Sequence, residues 1–194
     1  MERPQRIISV AGAHSKVGKT TLCSLLLKEL KDYGAIKFTK DIFGSPLIDS
    51  DEIILQKGKD TAIMAESGAK KVVLISGHGE RLRDALYKAL EMLSPLRGVI
   101  IEGNYPIEFL TPDLLIFVIG ADREIKSSAI KIAGIADIVV VNSEDRNRDI
   151  SSLSNMLHKG ARVFFMDLKK GEGEIRGFLN KVNRRIGEKE VTHV

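Results

Sequence analysis

The chain has 194 residues, of which 43% are hydrophobic and 29% charged, enough for one α/β domain with a substantial core. Its formal net charge of +4 suits anionic ligands. With aromatics at only 5%, and no run near the roughly 20 apolar residues of a membrane span, neither a nucleic acid nor a membrane is an expected partner. Cys23 is the single cysteine, so no internal disulfide can form. The start Met1-Glu2-Arg3-Pro4 carries no apolar signal segment, and a cytoplasmic location is expected.

In chain order, the apolar run 7–11 predicts a strand. A glycine-bearing turn follows, then a helix over 19–32 with Gly34 as its C-cap. Residues 35–39 read as the second strand, 60–66 as a helix ended by Gly68, and 72–76 as a third strand. Residues 80–93 align Leu82, Leu86, Leu90 and Leu93 on one helical stripe before Pro95. Further strands are expected at 98–102, 114–119, 137–141 and 162–166, with helices at 123–133, 147–158 and 174–186. Most of the strands are continuous apolar runs, as strands covered on both faces should be. The alternation implies right-handed crossovers. The expected fold is therefore a single α/β domain, a mostly parallel sheet of about seven strands with helices on both faces. Residues 1–186 would form the domain and 187–194 a flexible tail.

The turn between the first strand and helix reads Gly12-Ala13-His14-Ser15-Lys16-Val17-Gly18-Lys19-Thr20-Thr21. It matches the phosphate-loop pattern G-x-x-x-x-G-K-[ST], except that Ala13 stands for the first glycine and Gly12 lies one residue earlier. Backbone N–H groups of such a loop wrap a β-phosphate, and the new helix points its positive end at the same anion. Lys19 adds a mobile cation for the β- and γ-phosphates, and the Thr20 hydroxyl can take one position on Mg²⁺. A nucleoside triphosphate is the expected ligand, and the single-domain α/β fold is expected to be that of a P-loop NTPase. The alternative is a chance glycine turn before a helix.

In a parallel sheet the ligand lies at the carboxyl ends of the strands. Strand 98–102 ends in Glu102, placed to hold Mg²⁺ or polarise an attacking water, unless it is an ordinary strand-end acid. The second strand ends Lys37-Phe38-Thr39-Lys40-Asp41. Its lysines either approach phosphates or are solvated, and Asp41 is a candidate second Mg²⁺ ligand. Strand 137–141 leads into Asn142-Ser143-Glu144-Asp145, the spacing of the N-K-x-D guanine motif with Ser143 in place of lysine. An Asp there can accept from two guanine donors that adenine lacks. A polar turn is the alternative. Leu168-Lys169-Lys170-Gly171-Glu172-Gly173 follows the next strand and is similar to the L-K-T-G-E-G loop of GTPases that assist nickel insertion. GTP is therefore expected over ATP, which stays possible.

Three further pieces complete a pattern: Gly58-Lys59-Asp60-Thr61, then Glu66-Ser67-Gly68-Ala69, then Ile101-Glu102-Gly103. With the phosphate loop they resemble the molybdopterin-guanine dinucleotide biosynthesis adapter family, MobB, of the signal-recognition/MinD/BioD class. The resemblance covers about residues 6–120. It departs where the family carries histidines after the second strand, and the C-terminal third looks more like a regulatory GTPase. The resemblance implies GTP and Mg²⁺ binding, slow hydrolysis and a homodimer. It also implies partnership with the molybdenum cofactor guanylyltransferase or a molybdoenzyme. MinD-type ATPases carry a lysine where this chain has His14. The nickel-insertion GTPases use a Cys-Pro-His-type site, and no cysteine here lies near a histidine. The competing hypothesis is a small-molecule kinase or ligase of the dethiobiotin-synthetase type, with Lys37 or Lys40 facing its substrate.

Overall fold

A computed structural model of the protein describes residues 5–39, 45–77, 79, 81–122, 124–145 and 151–187. Among these residues, nine strands form one sheet in the order β3-β4-β2-β5-β1-β6-β7-β8-β9. Its centre is parallel: β1 (Arg6–Gly12), β2 (Tyr33–Thr39), β4 (Val72–Ser76), β5 (Gly98–Glu102), β6 (Leu114–Ile119), β7 (Ile138–Asn142) and β8 (Arg162–Asp167). These are the seven strands the apolar runs predict, within a residue or two. The additions are β3 (Leu47–Ile48) and β9 (Glu172–Gly173), which pair antiparallel with β4 and β8. Two-residue strands leave no periodicity to read.

The helices are α1 (Lys19–Glu29), α2 (Asp51–Ile54), α3 (Asp60–Glu66), α4 (Arg81–Met92), α5 (Ser127–Ala133) and α6 (Ile175–Ile186). The stripe on α4 packs as expected, with Leu82, Leu86 and Leu93 in the core. Two expectations fail. Gly34 does not cap α1 but lies inside β2, where a Cβ would press on Leu93 and Leu96. The left-handed residue after α1 is Asp32, at φ 62°. The helix expected over 147–158 is a 3-10 turn at Ser151–Leu153, the residues before 151 lying outside those described. Gly187, at φ 74°, ends α6. The expected tail beyond it is outside the described residues. Among the described residues no helix is long and apolar enough to cross a membrane.

Side chains leave the sheet alternately to two cores. Ile36, Phe38, Val99 and Ile101 join α4 on one face. Ala35 and Ile100 join the α1 residues Leu22, Cys23, Leu26 and Leu27 on the other. This alternation sends Lys37 and Glu102 to the α1 side.

Candidate functional site

β1 is flanked by β5 and β6, so the connections out of it diverge and a crevice opens at its carboxyl end. The loop from Gly12 to Gly18 fills that crevice. Gly12 comes first because the backbone is crowded there: a Cβ would lie 2.8 Å from Val17 Cγ2 and 3.0 Å from Lys19 Cδ. Ala13 is buried, and its N–H donates to the Val118 carbonyl at 2.9 Å. Its φ is not positive, so alanine fits where the pattern has glycine. The left-handed positions are Lys16, at φ 63°, and Gly18, at φ 103°. A Cβ on Gly18 would meet Asn142 Nδ2 at 2.6 Å.

The Lys19 ammonium donates to the His14 carbonyl at 2.9 Å and so spans its own loop. Burial lowers its pKa, Glu102 opposes that shift, and Lys37 adds to it. The His14 ring lies against Asp122. From the β5 side, Asn104 locks the loop root, accepting from Gly12 N–H and donating to Gly12 C=O, both at 2.9 Å.

Glu102 is the most buried charged group of the site, at 1% exposure. One carboxylate oxygen accepts from the Thr20 hydroxyl at 3.0 Å. The other accepts from Lys37 Nζ at 2.5 Å, and Lys37 also reaches Asp60 Oδ2 at 2.6 Å. Register explains the first pair: Lys37 on β2 lies directly beside Glu102 on β5. Burial works against the Lys37 ammonium, but Glu102 and Asp60 outweigh it and raise its pKa. Asp60 comes from the first turn of α3, and Gly58 (φ 81°) and Gly68 (φ 104°) shape the chain on either side. Ser67 meets Ser24 and ties α3 to α1. The Gly58–Ala69 stretch thus docks α3 against the phosphate loop helix and aims Asp60 into the site.

A cavity of about 500 Å³ joins these groups, lined by Ser15, Lys16, Gly18, Lys19, Thr20 and Thr21 of the loop together with Lys37, Asp60 and Glu102. Gly12, Ala13 and His14 face a neighbouring cleft of about 620 Å³. Val17 points inward, at 2% exposure. Mg²⁺ typically takes one or two carboxylates plus substrate phosphates. The hydroxyl of Thr20 and the carboxylate of Glu102, hydrogen-bonded beside Lys19, fit that demand. Asp41, the other candidate ligand, lies outside the described residues.

On the opposite side, Asn142 donates to the Val17 carbonyl at 3.0 Å and accepts from the Leu168 N–H at 2.9 Å. The amides of Lys169 and Lys170 both donate to Asp167 Oδ1. The 168–170 amides are thus held within the protein. Asp145 is exposed, with its N–H donating to Ser143 Oγ. It does not line the phosphate cavity. Sequence reasoning missed Asp60 as a site residue and gave Lys37 no partner. The available signal was a lysine inside an otherwise buried strand, which requires a counter-charge.

The fold is that of P-loop NTPases. The hydrogenase maturation factor HypB from Archaeoglobus fulgidus superposes with a TM-score of 0.61 at 18% identity, over 94% of this chain and 90% of that one. HypB from Helicobacter pylori, solved in complex with nickel, gives 0.62 at 17% identity, over 98% and 92%. LpxK from Aquifex aeolicus, solved in complex with ATP, gives 0.55 at 18%, over 96% and 69%. No family model and no curated protein sequence matches the chain.

Proposed function

We propose that this protein is a GTP-binding adapter with slow intrinsic hydrolysis, similar to MobB, serving assembly of the molybdenum dinucleotide cofactor. The observation that carries the nucleotide reading is the convergence of Lys19, Thr20 and Glu102 on one cavity beneath the phosphate loop. Loop amides and the α1 N-terminus bind the β-phosphate, and Lys19 turns from the His14 carbonyl to the β- and γ-oxygens. Mg²⁺ held by Thr20 and Glu102 would neutralise charge on the transferring phosphate. Glu102 orients water next to it. The placement of Asp60 supports the MobB-like reading, because the Gly58–Thr61 segment that suggests this family points its carboxylate at the phosphate cavity.

Guanine preference in this reading rests on Asp145, with Asn142 holding the adjoining Leu168-Lys169 loop beside it. The partners in this reading are a second copy of the chain and the guanylyltransferase or a molybdoenzyme. Capture of one of these purified partners by GTP-loaded protein, and not by the nucleotide-free form, tests it. Equal capture in both states removes the adapter role.

One observation favours a second reading, a small-molecule kinase. The 620 Å³ cleft shares Lys19, Lys37, Asp60 and Glu102 with the phosphate cavity and opens past Phe38, Tyr105 and Lys126. An acceptor bound there would face the γ-phosphate. Stimulation of nucleotide turnover by one metabolite would select this reading over the adapter.

A further inference from the structure

Lys37 and Asp60 line the phosphate cavity, the neighbouring 620 Å³ cleft, and a third space of about 120 Å³ bounded by Thr39, Ile53, Gln56 and Leu74. Their ion pair therefore stands as a partition between three chambers. Its cation is bonded to Glu102, whose other oxygen holds Thr20. The two groups suited to Mg²⁺ are thus already committed, one of them to an ammonium.

We propose that Lys37 is a resident counter-cation that holds the metal's seat until a metal–nucleotide complex displaces it, with Asp60 as the pivot that keeps the displaced ammonium in the site. The inference rests on reading the cavity as a Mg²⁺–triphosphate site. Charge balance supports it. Three ammoniums, Lys16, Lys19 and Lys37, face two carboxylates, Glu102 and Asp60, so the cavity lining already carries one excess positive charge. A lone divalent cation entering this already positive set adds uncompensated positive charge beside the buried Glu102. A triphosphate brings the missing negative charge with it. Metal and nucleotide therefore enter together. The 120 Å³ space, which Lys59 also lines, gives the displaced Lys37 somewhere to go, with Thr39, Gln56, Thr61 and the Asp60 carboxylate among its walls.

Mn²⁺ is the probe, titrated without nucleotide into the full chain and followed by the spectroscopic signal of the free ion. Lys37→Met and Lys37→Gln leave Glu102 and Thr20 available. Each should bind Mn²⁺ at least tenfold tighter than wild type, and adding Glu102→Gln should abolish the gain. Lys37→Arg, which keeps the cation, should behave like wild type. A folded Lys37→Met or Lys37→Gln protein with wild-type Mn²⁺ affinity overturns the proposal. Wild type alone supplies a second measurement. At saturating GTP analogue, Lys37 acetylation read by peptide mass spectrometry should run several-fold faster with Mg²⁺ than with chelator. Equal rates overturn the proposal. Wild type that binds no GTP would instead remove the nucleotide reading itself.

Discussion

The side-chain amide of Asn142 is a strut between two loops, bonded to the Val17 carbonyl at one end and the Leu168 N–H at the other. Both bonds are oriented and neither partner is a base. Asn142→Ala leaves a carbonyl and an N–H unpaired in a half-buried place, at a cost of about 1–3 kcal/mol. GTP and ATP affinities should both fall, by similar factors. Loss of GTP affinity alone would show that Asn142 reads the base directly. Thermal melts and paired titrations measure the two effects.

Lys19→Ala should abolish triphosphate binding while the fold survives. Among the described residues the ammonium's hydrogen bond goes to a loop carbonyl, which a phosphate oxygen can replace. Losing a buried charge-assisted contact costs about 2–5 kcal/mol of affinity. Calorimetric titration with GTP tests it, and an unchanged affinity removes the phosphate-loop assignment.

GTP should bind better than ATP by roughly ten- to a hundredfold, since a carboxylate left without guanine donors costs about 1–3 kcal/mol. Asp145→Asn should narrow the gap. Competition binding measures both. Equal affinities in wild type would mean that no residue of this loop reads the base.

Intrinsic hydrolysis should be slow, on the order of 10⁻⁴ to 10⁻² per second, because no arginine finger is evident in the sequence. Glu102→Gln should slow it further and leave GTP binding largely intact. The amide oxygen still accepts from Thr20, but Lys37 loses the charge of Glu102 and keeps that of Asp60. A modest drop in melting temperature should accompany the change. Single-turnover assays decide, and wild-type turnover in the mutant would reduce Glu102 to a structural acid.

Gly12→Ala and Ala13→Gly form a reciprocal pair. The first drives a methyl into Val17 and the Lys19 stem, so triphosphate binding should be lost. The second should keep binding, at a stability cost of about 0.5–1 kcal/mol for the added backbone freedom. Binding retained by Gly12→Ala would show that the loop root is plastic.

The central strands were legible because a strand buried on both faces is built from a continuous apolar run, as in residues 72–75 of β4 and Leu114–Ile119. The phosphate loop was legible because its chemistry is local: ten consecutive residues carry it. The Lys37–Asp60–Glu102 cluster was not, because its members are far apart in the chain and meet only through strand register and the docking of α3. Gly34 misled for a different reason. Glycine serves close packing as well as turns, and here Leu93 and Leu96 need the room. Asp32 took the left-handed position that glycine was expected to hold.

The two-residue strands β3 and β9 have a consequence for self-association. Each lies at an end of the sheet, runs against its neighbour and stops after two residues. An incoming strand would find a template too short to zip onto, at either margin. A wide, mostly parallel sheet is thereby protected from growing into a continuous one across molecules. In the proposed pairing of two copies, contact would instead run through helices and loops, side chain against side chain. That is the kind of contact a bound nucleotide could make or break.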